Sequence, residues 1–277
     1  VKERVSAGLI IGYVILVVLA LLYIYPFIIA VSGSFKTDAE ANADPMALIP
    51  QTFTFAAYER LFTGTDLPRW AANSAFITVV VTVFRVFFDS LAGYALSRLR
   101  FRGRNTIFAL FIAVLAVPSV VLMIPRFLVI KELGLYDTYG GMILPLLSTA
   151  AGIFIMKQFF DSIPVSIEEA ARIDGAGIFR TFWSVTLPMA MPALITLTIL
   201  SFQGSWNEFS HFVISRQSPE LHTLTTGVGS LVSGQLGSGT QFPLKLAAAV
   251  LMTIPVAVMF FIFQKRIMST TEGGEKG

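Results

Sequence analysis

Apolar residues in this 277-residue chain gather in long runs rather than alternating with polar ones. Six runs, at 8–34, 71–97, 105–130, 140–160, 189–212 and 245–264, can each cross a hydrocarbon layer of about 30 Å as a helix. Water does not reach the backbone in lipid, so runs of this length must satisfy their own amides and carbonyls as helices. The alternation over about ten residues that marks barrel strands is missing. The pattern predicts an all-α polytopic membrane protein with six transmembrane helices, organised as one domain over 1–277.

The polar stretches between the runs differ in kind. Segment 35–70 is punctuated by Pro45, Pro50, Gly64 and Pro68 and offers one short amphipathic turn at 58–62, which is too broken for a domain. Segment 214–243 is rich in Gly, Ser and Thr, notably at 225–227 and 237–240, and reads as a flexible connector or a mobile loop. Segment 157–188 carries helix signals. Pro164 starts a helix, Ser166 with Glu169 three residues on matches a capping box, and Gly175 sits where a helix ends. A short second helix at 178–184 follows, and Leu187-Pro188 leads the chain into the fifth run. The loop 161–188 is therefore expected to be a helix, a tight turn and a helix, held outside the bilayer.

Hydrophobic residues make up 55% of the chain and charged residues only 13%, with a net charge of +3. The basic residues sort by loop. Lys2 and Arg4, then Arg98, Arg100, Arg102 and Arg104, then Lys157, Arg172 and Arg180, then Lys265, Arg266 and Lys276 fall on one side if the runs alternate in direction. This positive-inside bias predicts cytoplasmic termini and argues against a nucleic-acid partner. The first run is longer than a signal-peptide core and has no cleavage site soon after it, so it is expected to stay as a span beside membrane lipid. With no cysteine there is no disulfide, thiol nucleophile or iron–sulfur site.

Within 161–188, Glu169-Ala170-Ala171 is followed by three residues, Gly175, nine residues, and Val185-Thr186-Leu187-Pro188. This spacing resembles the EAA coupling loop of ATP-binding-cassette importer permeases, with Val185 in an Ile position. Capping chemistry alone has no need of a Leu-Pro so far downstream. The resemblance extends through Ala92-Gly93-Tyr94-Ala95-Leu96-Ser97-Arg98, Leu133-Gly134-Leu135-Tyr136-Asp137-Thr138, Ser205-Trp206-Asn207-Glu208-Phe209 and Gln264-Lys265-Arg266. These look like the carbohydrate importers, and more narrowly the smaller, six-span permease of maltose-type systems. The tail 265–277 is similar to that subunit's cytoplasmic tail, with Glu275 in place of an apolar residue.

The resemblance implies a bacterial inner-membrane subunit that pairs with a second permease, sits on two ATPase subunits and takes substrate from an extracytoplasmic binding protein. ATP and Mg would be bound by the ATPases, and this chain would hold no cofactor of its own. Glu169, Ala170, Ala171, Asp174, Gly175, Leu187 and Pro188 would form the ATPase-coupling site. The cargo implied is a di- or oligosaccharide such as maltose or trehalose, and a sugar-phosphate-like solute fits the subfamily as well.

Polar residues inside apolar runs are costly and so are candidates for function. Arg85 and Asp89, four apart, share a helix face and are expected to neutralise each other, as a packing pair before a transport group. Gln203, Trp206, Asn207 and Glu208 combine hydrogen-bonding groups with an indole, which suits a sugar pathway and a subunit interface equally. His211 and His222 read as surface residues near the membrane boundary, with no metal-ligand spacing. Pro118, Pro125 and Pro255 are expected to curve spans three and six. No phosphate-binding Gly-x-x-x-x-Gly-Lys loop and no catalytic constellation occurs in the chain. The rival class is an ion-driven secondary transporter relaying ions through Arg85, Asp89 and Glu208, against which stands the single, unrepeated six-span unit.

Overall fold

The computed structural model describes residues 7–232 and 241–272, with side chains described only as far as Gln264. Lys2, Arg4, residues 237–240, the side chains of Lys265 and Arg266 and the tail from 273 onward lie outside the described residues. Every regular element among the described residues is helical. Their contacts divide the chain into two compact units. One comprises the chain up to Pro68 with Gly227–Pro255, and the other Arg69–Thr226 with the segment after Pro255.

In the first unit, α1 (Ala7–Ser34) contains a 27-residue apolar stretch, and none of its most apolar window is buried within the chain. A helix that is apolar on every side needs lipid or protein around it. Two short helices follow. Thr37 caps α2 (Asp38–Ala43) by accepting from Glu40 N, and α3 (Ala56–Thr63) buries Ala57 and Leu61. Phe35 packs on Phe53, Phe55 and Tyr58 with ring centroids 4.7, 5.4 and 5.2 Å away. Lys36 is fully buried and donates to Asp44 O at 2.9 Å. The segment read as too broken for a domain thus has a small core of its own.

The second unit is built around α4 (Leu67–Arg98), which begins before Ala71 because Pro68 falls in its first turn, where a missing N–H costs nothing. The predicted third span is not continuous. α5 (Arg104–Leu115) stops after 12 residues, a series of tight turns follows, and α6 (Met123–Glu132) resumes. The turns bond three residues back, with Ala116 N to Ala113 O, Val121 N to Pro118 O and Met123 N to Val120 O. Pro118 has no amide to continue the ladder, so it breaks the helix rather than curving it. Pro125 lies in the first turn of α6.

The fourth span is also interrupted: α7 (Tyr139–Ile143) and a 3-10 turn at Leu144–Leu146 precede α8 (Ala150–Ser162), capped by Thr149. Asp137, with φ of +60°, accepts from the backbone of Gln217 and Ser218 at 2.7 and 2.8 Å and from Ser218 Oγ. Those bonds, the Gln217 amide first, hold its carboxyl below the usual range. A depressed folded-state pKa means that this tie is intact at neutral pH and is lost as acid protonates the group.

The polar loop follows as α9 (Val165–Ile173), α10 (Ile178–Thr181), a π-helical turn at Phe182–Thr186 and α11 (Leu187–Met189). The chain then bends by 81° into α12 (Met191–Trp206). After α13 (Ser210–Ser215), α14 (Leu224–Val232) replaces much of the expected connector, and Thr223–Thr226 are buried rather than mobile. The last element, α15 (Phe242–Glu272), keeps Pro255 inside one helix. Among the described residues four helical segments are long and apolar enough to cross a membrane, Tyr139–Ser162 counting as one despite its break, and the bent pair around Ala190 makes five. The third expected span is the one that falls short.

Lipid tails are as apolar as these side chains, so close packing rather than burial must hold the helices together. Small residues mark where it does. A Cβ on Gly93 of α4 would lie 2.7 Å from Met156 Cβ and 2.9 Å from Lys157 N on α8, so only glycine allows this crossing. Tyr94, Met156, Phe160, Phe182, Ala193 and Leu197 interlock around it. A Cβ on Gly152 would collide with Asp89 Oδ2, whereas Gly177 has open space around it. Gly152→Ala should therefore cost about 1–3 kcal/mol of packing strain and lower the thermal unfolding midpoint in detergent, with Gly177→Ala near neutral. Equal midpoints would contradict the close approach.

Candidate coupling and pathway site

The loop between α8 and α12 is shaped by its own backbone. Pro164, with φ of −56° and ψ of 131°, occupies the N-cap of α9 and offers no side-chain cap. Ser166 is thus already inside the helix, and the capping box expected of Ser166 and Glu169 does not form; both side chains are exposed. The C-terminus closes in the manner a glycine allows. Gly175 takes φ of +81°, its amide bonds Arg172 O at 3.0 Å, and Ala176 N reaches Ala171 O at 2.9 Å.

This closing turn separates two faces. Outward lie Glu169, Ala170, Asp174 and Gly175, all exposed, together with Ile173 at 87% exposure and Phe179 at 77%. Ala171 is half-buried. Among the described residues Glu169 has no partner within the chain, and Ile173 and Phe179 leave apolar surface uncovered. These two were not singled out from sequence, although an apolar residue on the polar face of a solvated helix was signal enough. Leu187 does not join this face. It packs half-buried against the Tyr94–Phe160 core, while Pro188 sits exposed at the base of the loop. Pro188 has no amide to bond Ser184 O, and Leu187 N reaches back to Phe182 O instead, producing the π turn.

The inward face holds a pair that local pattern could not reveal. Arg98, the last residue of α4, places Nε 3.0 Å from Glu168 Oε1, with the two side chains 7% and 3% exposed. The same guanidinium donates to the carbonyls of Phe160 and Ile163, and Thr186 Oγ1 donates to Glu168 at 3.4 Å. Breaking a buried pair by removing one partner costs about 3–5 kcal/mol, because the other charge is left unpaired. Beside it Ser97 donates to Asp161 at 2.6 Å, and Lys157 bonds the other Asp161 oxygen at 2.5 Å.

Arg85 and Asp89 do not pair directly among the described contacts. They brace the break in the fourth span. Arg85 Nε donates to Leu146 O at 2.7 Å, and Asp89 accepts from Ser148 Oγ at 2.6 Å, Thr149 N at 3.0 Å and Thr149 Oγ1 at 3.1 Å. Each still feels the opposite charge of the other, and the unwound backbone takes their hydrogen bonds in addition. Asp89 is wholly buried.

The polar cluster of the fifth span divides. α12 ends at Trp206, so Asn207 and Glu208 lie in a break. Trp206 is buried and stacks on Phe202 at 5.8 Å. Glu208 accepts from His211 N at 2.9 Å, and its carbonyl takes Thr225 Oγ1 at 2.7 Å. Only Gln203, half-buried, and Asn207, exposed, leave their side chains open. His211 is 1% exposed with Nε2 3.1 Å from Met142 O, and so is a core residue rather than a surface one.

A family model described as "Binding-protein-dependent transport system inner membrane component" matches residues 89–271. The arabinooligosaccharides transport system permease protein AraQ of Bacillus subtilis (strain 168) is 34% identical over 266 residues, covering 94% of this chain and 92% of its own. The sn-glycerol-3-phosphate transport system permease protein UgpE of Yersinia pestis bv. Antiqua is 30% identical, covering 95% and 96%. Among solved structures, a chain of a bacterial ABC transporter involved in the import of the acidic polysaccharide alginate superposes with a TM-score of 0.81 at 28% identity, covering 96% of this chain and 98% of that one. Matched by the family model over most of its length and by relatives at 30% identity or more, the chain belongs to the binding-protein-dependent transport system inner membrane components, as a permease subunit of an ABC transporter and not an enzyme.

Proposed function

We propose that this chain is one of two permease subunits of an ATP-driven importer that carries a di- or oligosaccharide into the cytoplasm by alternating access. The observation that carries the reading is the two-faced helix α9, anchored inward by Glu168 and open outward at Glu169, Ile173 and Phe179. An exposed apolar patch beside an unpaired carboxylate on a stiff, glycine-closed turn suits docking in a groove of another protein. The partner is the ATPase, one copy under each permease, and ATP with Mg is bound there. Glu169 supplies the charge contact, Ala170 and Ala171 let the surfaces approach, Asp174 and Gly175 form the turn, and Leu187-Pro188 seat its far end on the core.

The cargo class rests on the named roles of the relatives. They span arabino-oligosaccharides, sn-glycerol-3-phosphate and alginate, which favours a carbohydrate and leaves maltose and trehalose as two candidates among many. An extracytoplasmic binding protein delivers it, and Gln203 and Asn207 line the path. Both termini and the loops around Arg100 and Glu169 face the cytoplasm.

Three measurements test these assignments. A single cysteine at Ser162, introduced into a chain with none of its own, should react with an impermeant maleimide only after the membrane is opened; labelling of intact cells would invert the orientation. Glu169→Ala should weaken ATPase docking about two- to fivefold, the equivalent of roughly 0.4–1 kcal/mol. Gly175→Val, forced into positive φ at a cost of about 1–2 kcal/mol, should do the same. Ser166→Ala, exposed and capping nothing, is the control, and equal docking by all three would remove the site. Alanine at Gln203 or Asn207 should change uptake rate among tested oligosaccharides while assembly persists, and unaltered uptake of every one would take both off the path.

A further inference from the structure

We infer that Arg98 is the positioning residue through which the docking helix moves the transmembrane core, with Glu168 as its counterpart; this rests on the importer reading above. The inference comes from what one guanidinium holds at once. Arg98 ends α4, its Nε meets Glu168 on the inner face of α9, and the same planar fork donates to the carbonyls of Phe160 and Ile163 where α8 ends. Glu168 in turn takes the hydroxyl of Thr186 from the π turn that runs into α12. Two spans, the docking helix and the π turn that leads through α11 and the 81° bend to α12 therefore meet around one ion pair.

The pair is suited to transmitting displacement. Both side chains are almost fully withdrawn from solvent, so losing either partner leaves the other charge poorly compensated. The guanidinium is a rigid plane that hydrogen-bonds two carbonyls at the end of α8, and Glu168 of α9 meets its Nε as an ion pair 3.0 Å away. A push on α9 is passed to α4 and α8 through Arg98 and, by way of Thr186, to the turn ahead of α12. Nothing else on the inner face of α9 has comparable reach, because Ile167 and Ala171 make only apolar contacts or none that orient. Lysine could keep the charge, but its ammonium cannot hold a carboxylate and two carbonyls in one plane.

The test uses the whole complex, with the second permease and both ATPases, and requires no knowledge of the cargo. A single cysteine at Asn207, at the far end of α12, reports the state of the core by its rate of reaction with maleimide, without nucleotide and with ATP plus vanadate. In the otherwise unaltered complex the two rates should differ severalfold. Arg98→Lys and Glu168→Gln should still co-purify with the ATPases, since neither side chain lies on the outer face, yet the nucleotide-dependent difference at Asn207 should shrink to less than twofold. The double substitution should be no worse than either single one. A full nucleotide response in assembled Arg98→Lys would overturn the inference and leave the pair a stabilising contact only. If the charge variants fail to assemble, Thr186→Val, which leaves the ion pair in place, decides: a reduced response supports the inference and an unreduced one overturns it. If the complex carrying the reporter cysteine alone shows no nucleotide response at all, the importer reading fails, and this inference falls with it.

Discussion

Inside a bilayer a backbone amide or carbonyl has no water to turn to, and each one left unpaired costs several kcal/mol, so every place where a spanning helix stops must bring its own partners. This constraint accounts for most of the chemistry-bearing side chains of the chain. Arg85 and Asp89 serve the unwound stretch between Leu144 and Thr149, Arg98 the end of α8, and Glu208 the start of α13. With their donors and acceptors committed to fixed backbone, these charges are poor relays for a moving ion. The transporter driven by an ion gradient loses its proposed machinery on this ground as well as by family.

The same constraint explains what could be read from sequence. Continuous apolar runs were legible because a helix whose surroundings are apolar needs nothing but length, and α1, α4 and α15 follow the runs closely. The third run was equally apolar and yet broke, since a sum of hydropathy does not register that Pro118 lacks an amide. The two ends of α9 were legible from Pro164 and Gly175, whereas the capping of its first turn was not. Ser166 and Glu169 have the spacing of a capping box, but Pro164 had already taken the cap. Partners distant in sequence escaped altogether. Nothing near His211 points to Met142 O, and nothing near Arg98 points to Glu168.

The candidate site shows how neighbouring residues of the same type come to different uses. Successive positions on an α-helix are turned by roughly 100°, so Glu168 and Glu169 face opposite environments although chemically alike. The inner one is buried against a guanidinium, and the outer one is exposed with no partner in the chain. The resemblance drew attention to the outer residue because its spacing to Leu187-Pro188 is recognisable; only the fold draws attention to the inner one.

The two faces also differ in strength in the direction that transmission requires. An exposed charge contact of the kind Glu169 can offer is worth about 0.2–1 kcal/mol, while separating a buried pair such as Arg98 and Glu168 costs about 3–5 kcal/mol. Under a load applied from the ATPase side, a single surface contact would yield before the helix tore from the core. Docking therefore needs more than Glu169, and the exposed Ile173 and Phe179 supply the apolar area through which a releasable but firm contact can be made. The joint on the inner side remains the stiffer of the two, which is the condition for a docked helix to carry α4, α8 and α12 with it.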